Sequence, residues 1–403
     1  MKFNKPSQLL LVSMIGLVAA TLLTACQIVT IDYLFVADKN SKTGASQIET
    51  FAVDAGSGAI RPVDKPVSSG GDSPVSMVVT SDFANLYVAN QASNSVAHFS
   101  IASSGVLTAK DTASLDFAPA SVAVNAAASF LYVTGTTSTA VAELAVYPLS
   151  SGTIGSLAAE IPLTLLASNS GDLLVPTGVT VLASGSDVYV TAYDKSAYNP
   201  GGATTSSANP GWVFGFVAGS GGALTPTTGS PYQAGVKPSA LTADPTDRFL
   251  YATDFASNEL IGYTIEDAGV LDFMVNGPFK TGNEPIALAI EPRGLYIYVV
   301  NSLQNGVGSY SIVQATGAAS ATSSSTGAAN PTDTQPVALV VDPALGRYIY
   351  TANFLGNSIS GFKLDPNSGA LTPTQATPFV TGQNPAAIVA VPHGNHAVQV
   401  VTP

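Results

Sequence analysis

One phrase, written seven times, restricts what this chain can become more than any other feature. A proline opens it; a run of small or β-branched residues, a short turn and a tyrosine-bearing strand follow. The prolines are Pro74, Pro119, Pro176, Pro238, Pro285, Pro336 and Pro385, spaced 45, 57, 62, 47, 51 and 49 residues apart. The runs behind them read VSMVVT, ASVAVN, TGVTVL, SALTAD, IALAIE, VALVVD and AAIVAV. Nearly continuous apolar runs of this length suit strands buried on both faces, and their many Ala and Ser side chains suit a crowded axis. A repeat of about 50 residues is one supersecondary unit that buries its faces only by stacking on copies of itself.

Within each unit we name four strands. Strand A is the run after the proline. Strand B carries the tyrosine, as in Leu86-Tyr87-Val88-Ala89, Leu131-Tyr132-Val133-Thr134, Val188-Tyr189-Val190-Thr191, Leu250-Tyr251-Ala252-Thr253, Ile297-Tyr298-Val299-Val300 and Ile349-Tyr350-Thr351-Ala352. Three A–B turns place an acid before proline (Asp244-Pro245, Glu291-Pro292, Asp342-Pro343); the acid caps the turn and Pro pre-sets its second position. Strand C starts near an Asn at Asn94, Asn258, Asn305 and Asn357, and a C–D hairpin reads Gly-x-Leu-Thr at Gly105, Gly222 and Gly369. Strand B has two further copies, Tyr33–Ala37 at the start and His396–Val401 at the end. The chain therefore begins with B, C and D and supplies the missing A from Pro385. The expected fold is all-β: a seven-bladed β-propeller of four-stranded antiparallel blades, closed by pairing the terminal strands, which removes open sheet edges.

The first 26 residues stand outside this pattern. Lys2 and Lys5 precede an apolar or small stretch from Leu9 to Leu23, then Leu23-Thr24-Ala25-Cys26. This is the layout of a secretory signal ending in a lipobox, so Cys26 is the expected lipidation site. Residues 27–32 form a short tether and 33–403 the propeller, with insertions at 193–211 and 314–335. The expected location is the cell envelope, lipid-anchored and periplasmic or outer-membrane, with the A–B turns nearer the lipid. Cys26 is the sole Cys, which leaves the folded domain without disulfides or thiolate metal sites. A formal charge of −12 with no Lys/Arg cluster argues against nucleic acid as a partner. The chain is expected to be a monomer.

LYVAN at Leu86–Asn90, YATDFASNELIGYTIEDAGVL from Tyr251 and YTANFLGNSISGFKLDPNSGALT from Tyr350 resemble the lactonase-type seven-bladed propeller family and the related YVTN-repeat propellers. The resemblance runs from residue 33 to about 391. It implies the fold, and it implies hydrolysis of a small lactone at the central channel as one activity.

Propeller topology puts D–A and B–C connections on one face, and the long insertions are expected there: Tyr193–Gly211 before Trp212, Gln314–Gln335, and Ala158–Val175. The channel mouth on that face is expected to carry the residues before each strand-A proline, among them Lys237 and Glu284, the ionisable pair of that ring. An amine and a carboxylate there could perform acid–base chemistry on a lactone. Ligand-binding candidates are Asp38, Asn90, Asp254, Asn301 and Asn353 at the ends of strand B, with Tyr193, Tyr198 and Trp212 from the longest loop. Asp38, Asp254, Glu284 and the Asn positions could alternatively hold Ca²⁺, which takes several oxygen ligands; no other cofactor is expected. The three histidines, His98, His393 and His396, are too sparse along the chain to indicate a metal site. There is no Gly-x-Ser-x-Gly elbow and no phosphate-cradling loop, and the four arginines fall in D strands or A–B turns. The reading favoured by these residues is a membrane-anchored module binding a glycan, peptide or envelope protein through its long-loop face. The alternative is a lactonase-like hydrolase.

Overall fold

The computed structural model describes residues 29–40, 45–165, 172–198, 210–322, 330–401 and 403. Cys26, most of the 193–211 insertion and residues 323–329 lie outside these. No helix among the described residues is long and apolar enough to cross a membrane.

Seven antiparallel sheets form in chain order, each running A, B, C, D from first to last strand. Blade 1 is the composite. Its strands B (Thr30–Asn40), C (Gln47–Asp54) and D come from the start of the chain, and its strand A (Gln383–Pro392) comes from the end. Tyr33 pairs with Val391 and Phe35 with Val389, so closure is a regular ladder. Strand A of blades 2 to 7 is Pro74–Val79, Phe117–Val124, Leu174–Val181, Pro238–Ala243, Pro285–Ile290 and Pro336–Val341. Except in blade 2, strand D is two short pieces that both pair with strand C.

Strand B is buried along nearly its whole length because each face meets a neighbouring blade. Leu34, Val36 and Phe51 of blade 1, for example, pack with Tyr350, Ala352 and Ile359 of blade 7. The repeated tyrosine does more than fill this space. The hydroxyls of Tyr87, Tyr189, Tyr251, Tyr298 and Tyr350 donate to the carbonyls of Gly152, Gly269, Gly317, Gly369 and Gly58, each in the C–D hairpin of the next blade. All five glycines have positive φ, between 67° and 85°, which brings the hairpin backbone against the ring with no Cβ in the way. Each such bond contributes about 1 kcal/mol, and an orphaned buried hydroxyl would cost more.

A second clamp works nearer the other face. Asn258, Asn305 and Asn357 precede strand C at φ of 51–58°. Their side-chain oxygens accept the N–H of Glu284, Gln335 and Asn384, the residue before the strand-A proline of the following blade. The acidic A–B turns cap as expected: Asp244 accepts the N–H of Arg248 and Phe249, Glu291 that of Leu295, and Asp342 those of Ala344 and Arg347.

Two expectations need correction. His396–Val401 is not an eighth strand B. Strand A of blade 1 already pairs with the N-terminal strand B, so no ladder partner remains, and the tail forms a 3-10 turn over Gly394–Val398. The Gln314–Gln335 stretch is not a D–A loop. Ala319–Ala321 and Asn330–Pro331 both pair with strand C of blade 6, so the described parts of this stretch belong to outer strand D. Ala159–Pro162 likewise belongs to strand D of blade 3.

Candidate active site at the channel mouth

Every strand A carries one extra residue just after its proline. The pairing register slips between Pro74 and Ser76, between Pro176 and Gly178, and at the equivalent point in the other five blades. The bulged residues are Val75, Ala120, Thr177, Ser239, Ile286, Val337 and Ala386, and all seven line one cavity of about 520 Å³ on the channel axis. A bulge twists its strand and re-aims one side chain; repeated around a ring, it builds the wall of the channel. Most of this wall is apolar. Of its four hydroxyls, Thr177 donates to the carbonyl of Pro238 at 2.9 Å and Ser239 to that of Pro285 at 2.7 Å, while Ser76 and Ser121 accept the N–H of Val122 and Val179.

The rim carries the chemistry. Lys39, Gln335 and Phe354 border the same cavity. The Lys39 amine is half-buried, and that burial lowers its pKa from the usual lysine value; the ring of Phe354 lies 5.9 Å away. Lys237 sits among three rings, its amine 4.5 Å from the centre of Phe255, 5.0 Å from Tyr198 and 5.5 Å from Tyr193. Burial lowers this amine too, and the nearby Glu284 carboxylate works against the shift. Lys237 and Glu284 are therefore electrostatic neighbours, as expected, while the rings of Tyr193 and Tyr198, themselves edge-to-face at 5.6 Å, hold the ammonium by cation–π attraction.

The strand-B acids and amides are placed otherwise. Asp38, Asn90, Asp254, Asn301 and Asn353 are all 0% exposed, so they have no surface to offer a ligand. Asp254 accepts the N–H of Val236, Lys237 and Ala256; Asn90 donates to the Ser69 carbonyl; Asn353 donates to Ser358 and Ser360. Asp38 lies near Gln47 and Thr381, and burial beside Glu49 pushes its carboxyl up to about 8. Asp38, Asn90 and Asp254 hold D–A connections in place, while Asn353 ties strand B to strand C. The mouth is reached by the residue after two of them, Lys39 after Asp38 and Phe354 after Asn353, because successive side chains on a strand point to opposite sides. The candidate set was one residue early, and period-two alternation from the buried Asp or Asn was the signal that would have found Lys39.

The acidic Ca²⁺ candidates form no close group of three carboxylates or imidazoles. Among the described residues, the close groups of three or more potential metal ligands are Asp32–Asp342–His396 and Asp116–Glu143–Glu160. Neither contains Asp38, Asp254 or Glu284. Trp212 begins strand C of blade 4, opposite Ala192 and Gln233, and packs on the core between blades 3 and 4. His98 stacks on Tyr87 and bonds Asp111 and Asn85, a structural role.

Solved structures of the same architecture include the periplasmic gluconolactonase of Pseudomonas aeruginosa, at TM-score 0.72 and 17% identity over 90% of this chain and 99% of that one. A candidate 6-phosphogluconolactonase of Bacteroides fragilis superposes at TM-score 0.70 with 18% identity, over 91% and 99% of the two chains. At these identities the likeness speaks to fold alone. No curated protein sequence matches the chain. The family model described as lactonase, 7-bladed beta-propeller matches residues 73–165 and 222–400. The repeat, the closed ring and this match together make the chain a member of the seven-bladed lactonase propeller family.

Proposed function

We propose that the protein hydrolyses a small carbohydrate-type lactone at the open mouth of its central channel. One observation carries this reading: in a lactonase-family propeller, a half-buried amine, Lys39, borders a 520 Å³ axial cavity with otherwise small walls. A sugar-sized ring fits such a space, and an ammonium in a partly dry site stabilises an oxyanion more strongly than one in water. Water adds to the lactone carbonyl and gives its proton to a carboxylate, for which Glu284 is the candidate. The ring C–O bond then breaks, and the ring oxygen leaves as a hydroxyl after taking a proton. Arg248, Arg293 and Arg347 stand in A–B turns on the opposite face, so phosphate recognition is not supported, and the reading favours an unphosphorylated lactone.

The test is hydrolysis of glucono-δ-lactone and its 6-phosphate by the purified chain, with Lys39→Ala and Glu284→Gln. A rate above background that both substitutions lower supports the reading. Background rates with the wild type, or a rate indifferent to both substitutions, overturn it.

A second reading, partner binding by the same face, is favoured by two exposed leucines in adjacent B–C loops, Leu303 at 62% and Leu355 at 57%. Tethering to a membrane through Cys26 belongs with it as a proposal. Strand B of blade 1 starts at Thr30, so at about 3.5 Å per residue the tether spans at most ~14 Å, and Thr30 enters beside the A–B turn residue Arg347. Globomycin-sensitive processing of the precursor, lost in Cys26→Ala, would support the anchor; processing unchanged by that substitution would exclude it.

A further inference from the structure

We propose that Asp32, Asp342 and His396 form a binding site for a divalent transition-metal ion, which staples the ring where the two ends of the chain meet. The site lies on the A–B face, away from the mouth, and the proposal is independent of lactone hydrolysis.

Three distant segments supply the groups. Asp342 follows strand A of blade 7, Asp32 lies in strand B of blade 1, and His396 comes from the turn after the closing strand. Their side chains are 0%, 1% and 2% exposed. The imidazole Nε2 is 3.0 and 3.1 Å from the two Asp342 oxygens and 3.5 Å from Asp32 Oδ1. The other nitrogen, Nδ1, faces Gln399 Oε1 at 3.3 Å.

Comparison with sister turns shows what is unusual here. Asp244 and Glu291 cap the same turn in blades 5 and 6. Each completes its bonding from within that turn, Asp244 with the Thr246 hydroxyl and Glu291 with the Arg293 guanidinium. In blade 7 an imidazole from the C-terminal tail takes that place, and a second carboxylate is added. Neither oxygen of Asp32 has a hydrogen-bond partner, although burying a carboxylate without one is costly.

Proton counting sharpens the point. The Gln399 carbonyl oxygen only accepts, so Nδ1 carries a hydrogen. Nε2 therefore faces two carboxylates either as a protonated imidazolium or as a lone pair, and in the second state the arrangement calls for a cation between them. Without a metal, a proton on Nε2 serves Asp342, and burial beside Asp342 pushes the Asp32 carboxyl up to about 8, so that it holds a proton of its own; a metal ion serves all three groups at once. Nε2-to-oxygen separations of 3.0 and 3.5 Å bracket the ~3.3 Å between ligand atoms of a tetrahedral ion with ~2.0 Å bonds. The shell outside is also built: Gln399 fixes the imidazole, and the N–H groups of Ala344 and Arg347 fix Asp342. The Arg347 guanidinium acts on the Asp32 carboxylate, and the Arg347 backbone N–H on Asp342, which leaves two acidic groups facing one imidazole. A cavity of about 680 Å³ lined by Arg347, His393, His396 and Gln399 gives the ion a way in. One imidazole and two carboxylates suit Zn²⁺, Co²⁺ or Mn²⁺ better than Ca²⁺.

The experiment uses the purified full chain, stripped with chelator and reloaded with Co²⁺ or Zn²⁺. We expect one equivalent of bound metal by elemental analysis, a visible Co²⁺ absorption band bleached by Zn²⁺, and a rise in Tm of about 5 °C with metal present. His396→Ala and the shape-preserving Asp32→Asn should each lose the band and the Tm rise, while His393→Ala keeps both. Should His396→Ala fail to fold, Asp32→Asn and the wild-type Co²⁺ spectrum still decide. No metal retained, and a Tm indifferent to Zn²⁺ but falling as pH rises, would mean a proton alone bridges these groups and would overturn the proposal. Metal binding that survives Asp32→Asn would overturn it equally.

Discussion

The two ends of the central channel are built from one repeated unit, yet they differ in how strictly they follow it. At the A–B end, acids at Asp244, Glu291 and Asp342 cap the same turn in three consecutive blades, and the C-terminal tail (Val400, Val401, Pro403) lies against these turns. At the opposite mouth the backbone is just as regular, with one bulge per strand A, but the bordering side chains differ from blade to blade: Lys39, Gln335 and Phe354 have no sevenfold counterpart. Repetition therefore marks what holds the ring, and its breakdown at the mouth is where the proposed lactone site is placed.

That contrast can be broken most severely at the closing seam. Gly58→Ala forces a Cβ to 2.4 Å from the Tyr348 ring at φ of 67°, where Tyr350 must also reach the Gly58 carbonyl. Chemical denaturation should show a loss of about 3 kcal/mol. Gly185→Ala has a φ of 75° but open space around the Cβ, and should lose only about 1 kcal/mol. Equal effects would mean that packing across the seam contributes nothing beyond backbone strain. At the mouth, Lys39→Ala should reduce kcat/KM for a hydrolysed lactone by about 100-fold while leaving the denaturation midpoint near wild type; Arg248→Ala, on the other face, should leave kcat/KM unchanged. Within the frame, Tyr298→Phe removes the 3.0 Å bond to Gly369 and should cost about 1 kcal/mol, measured by the same denaturation.

A separate effect is a pH dependence. The Asp38 carboxyl, pushed up to about 8 by burial and by Glu49, keeps its proton in the folded chain over a range where the unfolded chain has released it, so its contribution to stability falls as pH rises from about 4 to about 8. Asp38→Asn cannot ionise, and the drop in Tm between pH 5 and pH 8.5 should be shallower in that variant. An unchanged slope would place Asp38 outside the pH response.

Much of the frame was legible because it is periodic. Proline, small-residue run, turn and tyrosine recur often enough to count the blades and to predict which strand closes them, and the acid before Pro245, Pro292 and Pro343 announces its own cap. The rim was legible only in part. Lys237 and Glu284 could be placed by counting back from the prolines, whereas Lys39 was passed over for Asp38, its buried neighbour, and the outer-strand segments within 314–335 read as a loop on the mouth face.

The sequence by itself thus determined the number of blades, the order of strands and the terminal closure, since these follow from local periodicity and the need to bury two-faced strands. Only the tertiary structure decided which side chain at each strand end faces the channel, because a single bulge shifts that choice by one residue. It alone could bring Asp32, Asp342 and His396 together, for no local signal links residues that meet only when the ring is shut.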